Sequence, residues 1–414
     1  MRSRIEETEV SFSRAVNSST EKAAARDKQR KLFMNIGILK ETGLLERRVA
    51  LSPAGVQALV ALGHTVHVER MAGAAALFAD DEYIAAGGVT AYSSEEIINR
   101  SEIVLKISPL SEKELHLLSK GQAIFSFLHL AISQRKQIEA LLQREVTAIA
   151  YELIENAQGE LGVLQVMSEI GGQVSMHIAA HYLQGKEGGR GILLGSIPGV
   201  PPASVVILGA GTVGRTAARI AVGMGASVTV LDKDISRLRV VEELLQWKIT
   251  TATATDYNIT RSVRYADAVI GAVLLKGEKA PHIVTEEMVK GMKAGAVIVD
   301  VSIDQGGCVE TSRPTSLSDP VFIRHGVVHY CVPNMTASVG RTATAALTNA
   351  MVPYLLETAN TGIEKSFLRN PGLAKGVCTF GGHCTNGAVA RIFDLQQANL
   401  LGLLTKRHNT EYAV

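Results

Sequence analysis

Short apolar runs of strand length alternate with helix-like segments between Met34 and about Val166. The apolar runs are NIGILKE, HTVHVER, SEIVLKIS, QAIFSFLHL and VTAIAYELI. The segments SPAGVQALVALG, DDEYIAAGG and SQRKQIEALLQRE lie between them, and their periodicity predicts helices. This alternation predicts a mainly parallel sheet that is covered by helices.

A long helical segment, MSEIGGQVSMHIAAHYLQ, separates this region from a second series of apolar runs. The runs SVVILGA, ASVTVLD, DAVIGAV, AGAVIVDV and GVVHYCV predict a second parallel sheet. After about Gly340 the pattern is helical again, in TATAALTNAMVPYLLETAN and GAVARIFDLQQANLL. We therefore predict an α/β protein with two parallel sheets, and 414 residues are enough for two domains.

The first 33 residues mix Arg, Glu, Ser, Lys and Ala with almost no apolar periodicity. This composition predicts a disordered N-terminal extension over residues 1–33. Met34 opens the first strand-like run and is an alternative initiator. An organellar transit peptide is a further alternative, although the several Glu residues argue against it.

Charge and apolar content exclude several classes of protein. A formal net charge of +2 argues against a nucleic-acid-binding surface. The sequence has neither an apolar run of the ~18 residues that span a bilayer nor the apolar segment of a secretory signal. The cysteines form no CxxC pair, so we predict reduced thiols and no metal site. We expect a cytoplasmic protein that binds neither nucleic acid nor membranes.

The segment VVILGAGTVGRTAA places three glycines between an apolar strand and a helix. Gly209 permits a tight turn, Gly211 lets the backbone approach a pyrophosphate, and Gly214 allows the helix to pack closely on the strand. Thr212 and Val213 begin the helix, whose free N–H groups and dipole favour phosphate binding. An ordinary tight turn is the alternative interpretation of these glycines.

The next strand of the same unit, SVTVLD, ends in Asp232. A carboxylate at this point accepts hydrogen bonds from both ribose hydroxyls of a dinucleotide and repels a 2′-phosphate. The sequence therefore predicts NAD rather than NADP as the cofactor. Arg237 follows closely along the chain and leaves tolerance of NADP open.

Three polar residues outside the glycine loop are candidates for chemistry. Arg48, just before a Ser-Pro helix start, has the two-pronged geometry that binds a carboxylate. His129 follows an apolar strand and can exchange a proton near neutral pH. Asp304 follows the strand in VIVDVSIDQGG and can receive or relay a proton. The alternatives without a chemical role are a surface arginine for Arg48, a core histidine with satisfied hydrogen bonds for His129, and a turn-forming aspartate for Asp304.

Several stretches occur in the order found in one known family. They are KETGLLERRVALSPAGV, FLHLA, MSEIGG, the glycine loop, GAVLLKGEKAP, VIVDVSIDQGG, and CVPNM followed by RTAT. Together they resemble the alanine dehydrogenases, which are related to the NAD-binding subunit of proton-pumping transhydrogenase. The resemblance covers Met34 to about Leu395. It implies the reversible, NAD-dependent conversion of L-alanine and water to pyruvate and ammonium.

The resemblance also implies two Rossmann-like domains, with the NAD domain inserted into a discontinuous substrate domain. Residues 34–166 and 340–414 would form the substrate domain, and residues 167–339 the NAD domain. The active site would lie in the cleft between them, where closure excludes water. The family further implies a homo-oligomer, commonly a hexamer.

Individual residues match family positions of known role. Arg48 matches the arginine that binds the substrate carboxylate, and His129 matches the histidine that acts in proton transfer. Asp304 matches the aspartate beside the nicotinamide, and Ser168 matches a serine that contacts phosphate. The other candidates for cofactor binding are Val273, Leu274, Ile303, Asn334 and Met335.

Two departures from the family pattern fall on the substrate side. The family has Lys-x-Lys-Glu-Pro where this chain reads LKISPL, so Ser108 replaces a lysine that helps to hold substrate. Lys106 lies on the same face of the predicted strand and is a candidate to compensate, with a structural role as the alternative. Thr336 and Gly340 stand where the family has prolines, which predicts a looser segment beside the nicotinamide.

Three other functions stay open at this point. A related dehydrogenase with a remodelled pocket would act on another amino or 2-oxo acid. A transhydrogenase subunit is the second alternative, although that subfamily lacks the histidine of FLHLA. A catalytically inactive protein that binds NAD is the third.

Overall fold

The computed structural model describes residues 32–43, 45–130, 133–273 and 280–411, with side chains up to residue 407. Within these ranges two sheets and the helices that cover them hold most of the buried apolar side chains. The extension predicted for residues 1–33 lies outside the described residues except for its last two, so that prediction stays untested.

Strands account for most of the apolar runs that the sequence marks out. In chain order they are β1 (Asn35–Ile38), β2 (Thr65–Glu69), β3 (Val89–Ala91), β4 (Ile103–Leu105), β5 (Ala123–Ser126), β6 (Thr147–Ala150), β7 (Ser204–Leu208), β8 (Ser227–Asp232), β9 (Thr250–Thr253), β10 (Ala268–Gly271), β11 (Val297–Asp300), β12 (Val321–Arg324), β13 (Val327–Tyr330), β14 (Val377–Phe380) and β15 (His383–Cys384).

Helices cover both sheets. In chain order they are α1 (Pro53–Val60), α2 (Asp80–Ala85), α3 (Ser94–Arg100), α4 (Glu112–Leu117), α5 (Arg135–Gln143), α6 (Gly162–Tyr182), α7 (Thr212–Gly223), α8 (Ile235–Leu244), α9 (Asp256–Tyr265), α10 (Glu286–Lys290), α11 (Gly340–Thr361), α12 (Ile363–Arg369), α13 (Pro371–Lys375), α14 (Gly387–Phe393) and α15 (Leu400–Glu411). Within the described residues, every helix is too short or too polar to cross a bilayer.

The first sheet combines strands from both ends of the chain in the order β15-β14-β6-β5-β4-β1-β2-β3. Strands β1 to β6 are parallel, and β4, β5 and β6 are buried at every position. Continuous burial is typical of parallel strands that are covered by helices on both faces. The predicted parallel sheet is therefore confirmed.

The two segments after residue 340 that were predicted to be helical correspond to α11 and to α14 with the start of α15, but the chain between α11 and α14 also forms two strands that were not predicted. Strands β14 and β15 pair with each other in antiparallel fashion, and β14 runs antiparallel to β6 at the edge of the first sheet. Strand β14 has the sequence VCTF and is buried at all four positions. This run is short and mixes Cys and Thr with its apolar residues, so it did not stand out as the longer apolar runs did.

The second sheet has the order β12-β13-β11-β10-β7-β8-β9 and lies entirely within residues 204–330. It is parallel except for β12, which forms a hairpin with β13. His325 and Gly326 connect the two strands with φ angles of 53° and 74°. Positive φ at both central residues fits the tight turn of a two-residue hairpin. The prediction of a wholly parallel second sheet is corrected at this edge.

Two long helices, α6 and α11, connect the two sheets along the sequence, and they pack against each other. The second sheet is thus inserted in the sequence between the strands of the first. The predicted domain boundary between residues 166 and 167 falls inside α6, and the one at Gly340 coincides with the start of α11. The boundaries themselves stay predictions.

Candidate active site

A cleft of about 860 Å³, including its open mouth, lies where the carboxyl ends of strands from both sheets face each other. In α/β proteins this edge is where ligands bind. The loops after β5, β6, β10, β11 and β13 contribute to its wall, together with one side of α6. Its lining residues include Arg48, Phe127, His129, Glu152, Met167, Ser168, Val213, Val273, Ser302, Asp304, Asn334, Met335 and Thr336.

The cleft brings together three residues that are far apart in the sequence. Arg48, His129 and Asp304 all line it. Their assigned roles are not tested by this placement, but proximity is the condition that those roles require. A cation, an imidazole and a carboxylate at one cleft can bind an anion and move protons beside it.

Arg48 is almost completely buried, and its guanidinium is already held by other side chains. Glu46 accepts hydrogen bonds from Nε and Nη2 at 2.8 and 2.6 Å, and its Oε1 also accepts from the Arg48 backbone N–H at 3.0 Å. The Thr336 hydroxyl accepts from Nη1 at 3.0 Å. Sequence reasoning missed Glu46; its position two residues before Arg48 was the available signal.

His129 has a backbone conformation that is unusual for a residue with a side chain. Its φ is 45°, in the left-handed region. Glu152 stabilises this turn, because its carboxylate accepts the backbone N–H groups of His129 at 2.7 Å and Leu128 at 3.3 Å. The imidazole stacks on Phe127 with a distance of 6.0 Å between ring centroids. His129 and Glu152 both line the cleft, and no sequence signal pointed to Glu152.

Asp304 lies in a short 3-10 turn, Val301–Gln305, directly after β11. Its Oδ1 accepts the backbone N–H of Asn334 at 2.8 Å. Burial raises the pKa of the Asp304 carboxyl, and the nearby charges of His129 and Arg48 act in the opposite direction. A carboxyl whose pKa is raised towards neutral exchanges its proton more readily at physiological pH.

The glycine loop forms a turn in which side chains would collide. Gly209 has φ 105°, and a Cβ there would lie 2.4 Å from the carbonyl oxygen of Ala272. A Cβ at Gly214 would lie 1.8 Å from the carbonyl oxygen of Gly209. At Gly211, by contrast, a Cβ would meet no described atom within 4 Å. The loop therefore packs tightly on one side and leaves its backbone open at Gly211.

Helix α7 begins at Thr212 without a side-chain cap, so its first N–H groups and its positive dipole end are available to an anion. Gly172 of α6 brings the two helices together, because a Cβ there would lie 2.5 Å from the Val213 carbonyl oxygen. The N-terminus of α7 is thereby placed at the cleft, where Val213 forms part of the wall.

Asp232 ends β8 beside the glycine loop, as predicted. Its Oδ2 accepts the Ala210 N–H at 2.6 Å, and its Oδ1 accepts the Asp234 N–H at 2.8 Å. These contacts orient the carboxylate beside the loop. Arg237 is mostly exposed and lies 3.6 Å from Asp234, so its charge is shared with a neighbouring carboxylate.

The other candidates for cofactor binding are distributed unevenly. Ser168, Val273, Asn334 and Met335 line the cleft. Ile303 is buried in the turn that carries Asp304 and does not line the wall. Leu274 lies outside the described residues.

Neither Ser108 nor Lys106 lines the cleft. The Lys106 ammonium is buried and lies 2.6 Å from both oxygens of Glu114. The Ser108 N–H donates to Glu41 at 3.3 Å, and the Ile107 N–H donates to the same carboxylate at 2.6 Å. In this arrangement Lys106 occupies a structural ion pair and supplies no charge to the cleft.

The second departure from the family pattern has a clear structural consequence. Thr336 joins this loop to Arg48 through the hydrogen bond at Nη1, and the looser segment stays a prediction. A Cβ at Gly340 would lie 2.5 Å from the carbonyl oxygen of Arg47, so the segment around Arg48 packs directly on this glycine. Both residues join the start of α11 to the segment that carries Arg48.

Comparison with known proteins assigns the chain to a family. Residues 37–171 match the model described as alanine dehydrogenase/PNT, N-terminal domain, and residues 175–387 match the corresponding C-terminal domain. The chain belongs to the alanine dehydrogenase/PNT family.

The chain aligns with two curated relatives in this family over nearly their whole length. The chain is 45% identical to an alanine dehydrogenase of Methanococcus maripaludis over 87% of this chain and 97% of that protein. It is 44% identical to an alanine dehydrogenase of Geobacillus stearothermophilus over 90% of this chain and 100% of that protein.

Solved structures of the family agree with the fold. An L-alanine dehydrogenase superposes with a TM-score of 0.83 at 43% identity, covering 87% of this chain and 99% of that one. A transhydrogenase from Sinorhizobium meliloti superposes with a TM-score of 0.72 at 24% identity, covering 86% of this chain and 99% of that one, and supports the fold alone.

Proposed function

We propose that this chain catalyses the reversible, NAD-dependent oxidative deamination of L-alanine to pyruvate and ammonium. The observation that carries the proposal is the presence of Arg48, His129 and Asp304 on one cleft beside the glycine loop. The names of the relatives, which are alanine dehydrogenases at 44–45% identity, support the same reaction.

The residues at the glycine loop fit a dinucleotide. The N-terminus of α7 and the open backbone at Gly211 would hold the pyrophosphate, and Asp232 would bind the ribose. When bound, the nicotinamide supplies the acceptor for a hydride. The carboxylate of Asp232 favours NAD over NADP, because a 2′-phosphate would meet a like charge.

The chain's own residues handle the substrate and the protons. In the oxidative direction L-alanine, NAD⁺ and water yield pyruvate, NADH, ammonium and one proton. Arg48 binds the substrate carboxylate and so restricts the orientation of the substrate in the cleft. His129 exchanges protons with the substrate oxygen, and Asp304 assists the addition of water and the loss of ammonia.

The direct test is reductive amination by the purified protein, with pyruvate, ammonium and NADH as substrates and NADPH in a parallel assay. We expect steady oxidation of NADH that depends on both pyruvate and ammonium. NADH binding without turnover of any 2-oxo acid would favour the inactive homologue instead.

A related dehydrogenase for another 2-oxo acid is a second candidate, and Ser108 is the observation that favours it. The position where the family has a lysine carries no charge here, and Lys106 is bound to Glu114. Turnover of a panel of 2-oxo acids by the wild type and by Ser108→Lys separates the candidates. A large gain with pyruvate in the variant would indicate that alanine is not the natural substrate.

We also propose a homo-oligomer, a hexamer as in the family, that acts in the cytoplasm. The four cysteines are unpaired, which supports a reducing compartment. Light scattering of the purified protein measures the oligomeric state, and fractionation of the source cells measures the location.

A further inference from the structure

Two side chains from distant parts of the sequence hold the guanidinium of Arg48. Glu46 accepts from Nε at 2.8 Å and from Nη2 at 2.6 Å. Thr336, which is separated from Arg48 by 288 positions, accepts from Nη1 at 3.0 Å. Together they occupy the side fork of the guanidinium, formed by Nε and Nη2, and one further N–H on Nη1.

What remains for a ligand is one N–H on each terminal nitrogen. In the described part of the chain, the other hydrogen-bonding contact of these nitrogens is with the Met167 sulfur, 3.8 Å from Nη1. A thioether is a weak acceptor and yields readily to a carboxylate. Since Arg48 lines the cleft, its remaining donors are available to a carboxylate there.

Burial makes these contacts effective. The side chains of Arg48 and Glu46 are 3% and 6% exposed, so water competes little for their hydrogen bonds. Arginine otherwise loses considerable rotamer entropy when it binds a ligand, and a guanidinium that is already fixed avoids this loss.

Thr336 also links Arg48 to the proton-transfer side of the cleft. It lies in the 3-10 turn Met335–Val339, directly after Asn334, whose N–H donates to Asp304 at 2.8 Å. A single short segment therefore sets the positions of both the carboxylate-binding group and the acid–base group.

Given the proposed function, on which this step rests, we infer that Glu46 and Thr336 are positioning residues for the substrate. They fix Arg48 so that a single fork is left for the substrate, and the site takes a 2-oxo acid with one carboxylate. The second carboxylate of a 2-oxo dicarboxylic acid has no access to the side fork, because Glu46 occupies it.

The main test is Thr336→Val, which replaces the hydroxyl by a methyl group of similar size. At saturating NADH and ammonium, we expect the KM for pyruvate to rise on the order of tenfold, with kcat within about twofold of wild type. Thr336→Ser keeps the acceptor oxygen and should restore the KM.

Thr344→Val is the matched control. Thr344 is a buried threonine of α11, and its hydroxyl accepts the backbone N–H of Val49 at 3.0 Å rather than a guanidinium N–H. This variant loosens the same segment but leaves the guanidinium held. We expect it to lower stability and to leave the KM for pyruvate unchanged.

A second variant, Glu46→Gln, tests the selection against dicarboxylates. Glutamine has one acceptor oxygen, so part of the side fork becomes free. We expect kcat/KM for 2-oxoglutarate, relative to pyruvate, to increase on the order of tenfold.

Binding of oxamate to the NADH complex, measured by calorimetry, tests the inference without turnover. Oxamate has the shape and the carboxylate of pyruvate but cannot be aminated. Its Kd should rise on the order of tenfold in Thr336→Val and stay unchanged in Thr344→Val. Equal Kd values in wild type and Thr336→Val, an equal rise in both variants, or no binding by wild type would overturn the inference. A wild type that binds oxamate but turns over no pyruvate counts against the proposed function alone.

Discussion

The side of the cleft that we propose for the cofactor and the side that we propose for the substrate, here called the cofactor wall and the substrate wall, are built in different ways. The cofactor wall, from β7 through α7 to β8, is one continuous stretch, Ser204–Asp232, which reaches the cleft at Val213. The binding groups proposed for it are backbone N–H groups and one carboxylate. The proposed substrate wall consists of side chains from residues 46–48, 127–129, 152, 304 and 336. They are joined by hydrogen bonds between segments that are remote in the sequence.

This difference determines how each wall tolerates change. A backbone site depends on space, so its sensitive positions are glycines where an added Cβ would collide. A site of side chains depends on partners, so its sensitive positions are the acceptors that hold each functional group. Each of the following variants tests one side of this contrast.

We expect the largest effect from Asp304→Asn on the substrate wall. Asparagine keeps an oxygen that can accept the Asn334 N–H but cannot exchange a proton, so kcat should fall about 10²–10⁴-fold. Stopped-flow binding of NADH should be unchanged. If the variant kept nearly the full kcat at every pH, Asp304 would have no role in proton transfer.

Lys106→Met tests whether the ion pair behind the substrate wall is structural. It leaves the buried Glu114 carboxylate without its cation, which should lower the free energy of unfolding by about 3–5 kcal/mol. Chemical denaturation measures the loss, and the KM for pyruvate should not change. Lys106→Met combined with Glu114→Gln should recover much of the stability, because position 114 then carries no charge that needs a partner. A raised KM for pyruvate in the single variant would indicate that Lys106 takes part in substrate binding.

Gly214→Ala tests the cofactor wall. The added Cβ would lie 1.8 Å from the Gly209 carbonyl oxygen, so the loop must move, at a cost of about 1–3 kcal/mol in stability and a weakened affinity for NADH. Gly223→Ala, in the same helix, is the control, since a Cβ there meets no described atom within 4 Å. It should be neutral or stabilise by about 0.5–1 kcal/mol. Fluorescence titration with NADH that gives equal affinities for both variants would contradict a wall built on backbone packing.

The smallest expected effect concerns Glu41, which supports the strand end at Ile107 and Ser108. Burial raises the pKa of its carboxyl from 4.5 to about 7, and Lys106 acts against this shift. The folded state therefore holds this proton more tightly than the unfolded state does. As the pH rises from 4.5 to about 7, the free energy of unfolding of wild type should fall relative to that of Glu41→Gln. Above that range the difference between the two proteins should stay constant.

Unfolding at about pH 5 and about pH 8 measures this difference, which we expect to change by about 1–3 kcal/mol. Glu102→Gln is the control, because Glu102 is an exposed carboxylate that also accepts a strand N–H, that of Asn35 at 2.7 Å. A difference between wild type and Glu41→Gln that does not vary with pH would mean that this carboxyl titrates alike in both states.

Much of the fold could be predicted because its signals are local. The unit from β7 to β8 was recognisable because the strand, the glycine turn, the helix and the terminal carboxylate follow one another within Ser204–Asp232. Strand β14 was missed because its run, VCTF, is short and mixes Cys and Thr with the apolar residues. The edge strand β12 was missed because its pairing depends on a hairpin turn at His325 and Gly326 rather than on apolar content.

The sequence by itself determined the two sheets, the dinucleotide turn and the candidates Arg48, His129 and Asp304, since residue type and spacing are local properties of the chain. Only the tertiary structure decided that Glu46 and Thr336 hold Arg48, that Glu152 holds the turn at His129, and that Lys106 faces Glu114. A partner in a hydrogen bond is fixed by the packing of separate segments, and spacing along the chain carries no record of that packing.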